Sequence, residues 1–411
     1  MAGIVKKTIF IFIGLVLAYY FIHSLGIVWN NAADTQWDLK IYYFAGEAYA
    51  QHLNPYLRES LSQVAHAEFN LTFTYPPAAI LFCKLLTAFD YNSVRIAWLI
   101  LKIVSLIALI VLWKKEFLAD VSIGVIIIFT LFAFNGAVFW DIKTGNVSLF
   151  EQLIMWFAFL AFLKKKDAIF ISLIIIGSLL KLSPIVFLLL LAVRDNKNKW
   201  MYMAMGAGVF GIYLLFNYLV YHDLFVSFWA NVSAIDERAD DYNYSLLALW
   251  DDISRLVFNS VSIGSRKLFM YAMYGISAIA ILFVSIKSYI RVCGKSDRQK
   301  ILFGIFMFCC TYALMIPRLK SYSFILLIPA CLYLISLSNL PRTNYVLLIF
   351  GLLPGVTPFY ESAAIDRLFL YYPLYFLFII WLCFVWVCQT LQEMPENLEN
   401  ENANYVVSEN Q

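Results

Sequence analysis

Apolar residues in this chain come in long unbroken runs rather than in the i, i+3, i+4 stripes of a half-buried helix. The runs fall near 8–29, 92–113, 120–138, 147–163, 168–180, 184–193, 201–221, 268–290, 301–316, 322–338, 343–357 and 369–389. A helix needs about 20 apolar residues to cross the hydrocarbon core of a membrane, and several of these runs are shorter. The stretch 168–193 is interrupted at Lys181-Leu182-Ser183-Pro184. It has Lys164, Lys165 and Lys166 before it and Arg194, Lys197 and Lys199 after it. Because basic residues collect on the cytoplasmic side, it is expected to fold as two short helices that turn at Lys181–Pro184 on the outer side. Residues 77–89 are expected to form an interfacial or re-entrant helix, since a full crossing there would put Lys114 and Lys115 outside. The clusters Lys6-Lys7, Lys164 to Lys166, Arg194 to Lys199, and Arg291 with Lys295, Arg298 and Lys300 then all lie inside. The pattern predicts an all-α polytopic membrane protein with about twelve crossings, some of them short, and both termini cytoplasmic.

Composition agrees. The 411 residues are 62% hydrophobic and 14% charged, which excludes a soluble domain built around one core. A net charge of +3 is too small to suggest a nucleic-acid partner. Many Tyr and Trp residues sit at the ends of the apolar runs, as in interfacial belts. Of the seven cysteines, Cys83, Cys293, Cys309, Cys310, Cys331, Cys383 and Cys388, most fall inside apolar runs without metal spacing and read as small core residues. His23, His52, His66 and His222 form no zinc pattern. The first run, preceded by Lys6 and Lys7 and followed by no small-residue cleavage site, is expected to be a retained helix. Residues 1–390 are read as one transmembrane domain and 391–411 as a disordered acidic cytoplasmic tail, rich in Asn and without Lys or Arg.

The chemistry then collects in the outer loops 30–91, 139–146, 181–184, 222–267, 317–321 and 358–368. The first of these opens with two carboxylates, Asp34 and Asp38, where the chain leaves the first span. Asp38 begins an amphipathic run with Ile41, Phe44, Ala45 and Ala48 on one face, and a carboxylate in a first helical turn complements the helix dipole. At a membrane boundary such a group is either a general base for a hydroxyl or a cap. Trp140–Asn146 reads as a short polar turn in which Lys143 and Asn146 are placed to bond a sugar or phosphate, or as an ordinary turn. Lys181 sits deep in an apolar stretch, where a lysine is costly and points to function unless it snorkels. Arg318 and Lys320 form a basic turn on the face where charge is not expected, suited to an interfacial phosphate or to lipid headgroups. The acidic residues Asp236, Glu237, Asp240, Asp241, Asp251 and Asp252 have no Ca²⁺-loop spacing and read as a solvated loop. No nucleotide-binding fingerprint occurs.

The segments WDLKIYYFAGEAYAQHLNPYL and TYPPAAILFCKLL resemble the polyprenol-phosphate-mannose-dependent mannosyltransferases, glycosyltransferase family 87. The Gly145-Asn146 turn, Lys181 with Pro184, and the polar turn leading into Tyr322 and Pro329 extend the likeness. The resemblance implies a GT-C type helical bundle with interfacial helices in the first outer loop. It implies transfer of a mannose-like sugar from a polyprenyl-phosphate donor to a hydroxyl of a glycan or glycolipid acceptor, on the non-cytoplasmic face of the membrane. In a bacterium that is the cytoplasmic membrane. On that reading Asp38 is the base, with Asp34 beside it. Lys181, Arg318 and Lys320 bind the donor phosphate, and Tyr42, Tyr43, Asn146 and Lys143 line the sugar site. Divalent-metal dependence stays open. The alternatives are a transporter or flippase of a lipid-linked or small polar solute, and an O-antigen-ligase-like enzyme.

Overall fold

The computed structural model describes residues 19, 21–31, 35–194, 196–234, 242–258, 262–292, 297–337, 347, 351 and 368–393. Asp34, the acidic residues Asp236 to Asp241, the run 343–357 apart from two residues, and the tail after Glu393 lie outside them, as does Lys6-Lys7. Among the described residues the chain is helical, without strands; one isolated bridge joins Asn243 to Lys320.

The elements that matter for the site are α1 (Trp37–Ala50), α2 (Arg58–Ala65), α3 (Pro77–Leu86), α4 (Tyr91–Leu112), α5 (Ile123–Thr144), α6 (Ser148–Leu163) and α7 (Asp167–Leu180). A 3₁₀ segment, Ser183–Val193, follows, then α8 (Lys199–Val220), α9 (His222–Ala234), α10 (Leu246–Val257), α11 (Ile263–Arg291) and α12 (Asp297–Met315). A second 3₁₀ segment, Ser321–Leu327, leads into α13 (Ile328–Leu337), and α14 spans Tyr372–Glu393. Among the described residues, four helical stretches are long and apolar enough to cross a membrane: Tyr91–Phe117, Ile123–Thr144, Lys199–Val220 and Ile263–Arg291. Six shorter apolar helices accompany them, among them Pro77–Leu86, whose 10 residues are too few for a crossing. α8 and α11 turn apolar side chains such as Ile212, Leu219 and Ile279 outward, as helices on a lipid-facing rim do. The core lies between α4, α5, α6, α12, α13 and α14, where Trp156, Phe159, Phe306, Phe324 and Phe384 are buried.

The interruption at Lys181 is real. α7 stops at Leu180, Lys181 is extended (φ −133°, ψ 131°), and Pro184 lies in the first turn of the 3₁₀ segment that begins at Ser183. The polar turn expected at Trp140–Asn146 is shorter than the sequence suggests. Residues up to Thr144 are helical, and the turn is confined to residues 145–147, Gly145, Asn146 and Val147. The break comes earlier in α5, where Phe134, Asn135 and Gly136 take positive φ in succession. Phe134 is held there between Phe324 and Phe376, with ring centroids 5.2 and 5.1 Å away. Two left-handed non-glycine residues carry strain that this packing must offset.

Charged groups gather at two ends of the helices. At one, Lys164 pairs with Glu116, Arg298 donates to the Glu116 carbonyl, and Asn196 and Arg194 meet Asp167. The other carries α1 to α3, Lys181 and the 317–320 turn.

Candidate active site

α1 is the platform of the site. Leu39, Ile41, Tyr42, Tyr43, Ala45, Gly46 and Ala48 are all buried, so the helix is embedded rather than half-solvated. It crosses α3 at Gly46, where a Cβ would lie 2.4 Å from the Cys83 carbonyl oxygen. α3 begins with Pro77 in its first turn, where a missing N–H costs nothing. Its Ala78 N–H donates to Asn217 Oδ1 of α8 at 2.8 Å. The preceding Tyr75 is thereby delivered to α1, with its hydroxyl 2.8 Å from that of Tyr42. Tyr56 donates to the Tyr75 carbonyl at 2.6 Å, and Asn231 of α9 donates to the Tyr56 carbonyl at 2.8 Å.

A cavity of about 890 Å³ opens against this platform. Asp38, Tyr42, Tyr75, Asn146, Glu151, Lys181, Arg318, Lys320 and Tyr322 line its polar part, and Met155, Leu180, Pro184, Phe187, Ala313 and Leu326 its apolar part. Asp38, in the first turn of α1, accepts a hydrogen bond from Asn146 Nδ2 at 2.7 Å. Burial holds its carboxyl above the usual carboxylate range, against the opposing pull of Asn146 and the charges of Lys320, Arg318 and Lys102. The Tyr42 and Tyr75 hydroxyls are pushed upward, chiefly by burial, and stay protonated.

The Gly145-Asn146 turn is fixed from below. Gly145 takes φ +75°, and a Cβ on it would lie 3.0 Å from that of Leu39. Trp98 Nε1 donates to the Gly145 carbonyl at 2.9 Å, and Gln36 N–H to the Lys143 carbonyl at 2.7 Å. Lys102, wholly buried in the middle of α4, pairs with the Asp141 carboxylate and also donates to the Asn146 carbonyl. The basic turn is anchored on the opposite side. Tyr244 N–H donates to the Leu319 carbonyl at 2.8 Å, Leu319 N–H to Asn243 Oδ1 at 2.9 Å, and Ser245 Oγ to the Pro317 carbonyl at 2.7 Å. Lys181 meets Glu151 Oε2 at 2.7 Å and lies 5.1 Å from the Tyr322 ring centroid.

Of the residues singled out in the sequence, Asp38, Tyr42, Asn146, Lys181, Arg318 and Lys320 share the cavity. Tyr43 does not line it: about 100° further round α1, it donates to the Phe89 carbonyl at 3.0 Å. Lys143 does not line it either, lying over the rings of Trp140 and Trp37 at 4.9 and 6.0 Å. Asp34 falls outside the described residues. The sequence reading passed over Lys102, Asp141 as its partner, Glu151 and Tyr75. A charged residue inside an otherwise apolar run was the available signal for Lys102 and Glu151. Among the described residues no three His, Cys, Asp or Glu side chains are grouped for a metal ion.

The sequence profile of glycosyltransferase family 87 matches residues 73–317. The matched segment holds Tyr75, Lys102, Asn146, Glu151 and Lys181, and ends before Arg318; Asp38 precedes it. No curated protein and no solved structure matches the chain significantly. The profile covers more than half of the sequence, and the chain belongs to glycosyltransferase family 87, as a membrane glycosyltransferase.

Proposed function

We propose that the protein transfers a mannose-like sugar from a polyprenyl-phosphate donor to an acceptor hydroxyl on the non-cytoplasmic face of the membrane, by direct inverting displacement. The observation that carries this reading is the make-up of the cavity. Its lining brings together a carboxylate, Asp38, the cations Lys181, Arg318 and Lys320, and apolar residues such as Leu180, Phe187 and Leu326. The reaction has matching demands. The acceptor oxygen attacks the anomeric carbon and gives its proton to Asp38 while the bond from that carbon to the phosphate oxygen breaks. Lys181, Arg318 and Lys320 offset the charge left on the polyprenyl phosphate. A prenyl chain suits the apolar residues between Met155 and Phe187. Tyr42 and Tyr75 face the sugar, and Asn146 holds the base. The bundle is read as about twelve crossings once the short apolar helices other than Pro77–Leu86, α12, and the apolar runs 8–29 and 343–357 of the sequence are counted with the long ones. The basic end at Lys164, Arg194 and Arg298 is read as cytoplasmic.

The test is transfer of radiolabel into membranes from a panel of polyprenyl-phosphate sugars and nucleotide sugars. Label should pass from a polyprenyl-phosphate hexose, mannose first. Transfer from nucleotide sugars alone would contradict the proposal.

A further inference from the structure

Ser148 does not line the cavity and is fully buried, yet its hydroxyl joins two residues that do line it. Lys181 Nζ donates to Ser148 Oγ at 2.5 Å. An ammonium accepts nothing, so the Ser148 proton points the other way, to Asn146 Oδ1 at 2.8 Å. The Ser148 backbone N–H donates to the same oxygen at 3.1 Å. Two donors on Oδ1 leave the Nδ2 end of the amide for Asp38, 2.7 Å away. Every bond in the series therefore has one possible direction: ammonium to hydroxyl, hydroxyl to amide, amide to carboxylate.

We propose that Ser148 is a positioning residue that couples Lys181 to Asp38, so that an anionic phosphate engaging Lys181 strengthens the base. This rests on the reading of Lys181 as a phosphate contact and Asp38 as the base. Before the donor arrives, Lys181 is shared between Ser148 and Glu151, and the chain of donors ends on the carboxylate and favours its ionised form. A phosphate that draws Lys181 toward itself loosens the first bond. Hydrogen bonds in a series polarise one another, so the last one weakens as well. Asp38 then holds a proton more readily, at the moment when the leaving group is in place.

Several other groups face Asp38: Lys320 and Arg318 from the 317–320 turn, Lys102 of α4, Asp141 of α5, and Tyr42 and Tyr75. Their charges are unchanged by a substitution at Ser148, which isolates the chain.

The protonation of Asp38 can be read without transferase activity. A hydrophobic carbodiimide reacts with protonated carboxyls, and the Asp38 adduct is quantified against pH by peptide mass spectrometry on the purified full-length protein. In Ser148→Ala the midpoint should rise by about one pH unit, the size expected when a hydrogen bond to a charged group is weakened. Ser148→Thr, which keeps the hydroxyl, should stay near the wild-type midpoint. Added polyprenyl phosphate should raise the midpoint in the wild type and raise it less in Ser148→Ala. Lys181→Met leaves Ser148 in its packing and should shift the midpoint upward even where Ser148→Ala does not fold. An unchanged midpoint in either variant overturns the coupling, as does an equal response to polyprenyl phosphate with and without the hydroxyl. Radiolabel transfer separates the two readings. Static midpoints with an inactive Asp38→Asn protein reject the coupling alone. Shifted midpoints in a protein whose transfer ignores Asp38→Asn support the coupling and reject the base.

Discussion

Asn146 is engaged at every polar atom. Its carbonyl receives Lys102, its Oδ1 receives Ser148 twice, its Nδ2 holds Asp38, and its N–H donates to Thr144 Oγ1 at 3.2 Å. A residue so committed orients the carboxylate and has little capacity left for a sugar. Lys102 is the support beneath it. With both side chains wholly buried, the Lys102–Asp141 pair is weak evidence for stability in itself, but removing one partner leaves a charge without compensation. Lys102→Met should therefore destabilise the protein by about 3–5 kcal/mol, read as a lower thermal midpoint in detergent. A variant as stable as the wild type would contradict this. Neither Lys102 nor Asp141 was legible in advance as a pair. One lysine in a 22-residue apolar helix barely changes its hydropathy, and Asp141 follows Trp140 in a stretch that reads as a turn. Lys181 was legible, because Pro184 marks a break beside it.

At the scale of elements, the site depends on α1 being pressed against α3. Gly46 allows this, since its backbone meets that of Cys83 and Lys84 with no room for a methyl group. Gly46→Ala should force the helices apart and cost about 1–3 kcal/mol, the range for overpacking. It should lower transfer as well, since Asp38 rides on α1 and Tyr75 precedes α3. A normal turnover together with a normal melting midpoint would show that the contact gives way freely. The Pro77 start of α3 was readable from Tyr75-Pro76-Pro77, as was the shortness of the helix, 10 residues. The break within α5 was not. Phe134-Asn135-Gly136 contains a turn signal, but it lies in a run long enough to span, and only the packing of Phe134 against Phe324 and Phe376 reveals why the chain gives way there.

Across the whole molecule, charge is sorted by end. Glu116, Lys164, Asp167, Arg194 and Arg298 meet at one, and Asp38, Lys181, Arg318 and Lys320 at the other. The positive-inside rule assigns the first end to the cytoplasm. Single cysteines at positions 38 and 318 should then react with an impermeant thiol reagent added outside the cell, and cysteines at 115 and 298 should not. The reverse pattern would invert the protein and move the proposed chemistry to the other face.

All of this converges on one carboxylate, Asp38, in the lining of a cavity shared with Lys181, Arg318 and Lys320. The direct measurement is transfer of labelled hexose from its polyprenyl phosphate by wild type, Asp38→Asn and Asp34→Asn, with donor binding followed in parallel. Asp38→Asn keeps the size of the side chain and removes the basic oxygen. Turnover should fall on the order of a hundred-fold or more, the usual scale of general-base catalysis, while donor binding persists because the base acts in the transition state. Asp34→Asn should cost far less. Near-normal turnover in Asp38→Asn, with activity abolished in Asp34→Asn or in neither, would contradict the assignment.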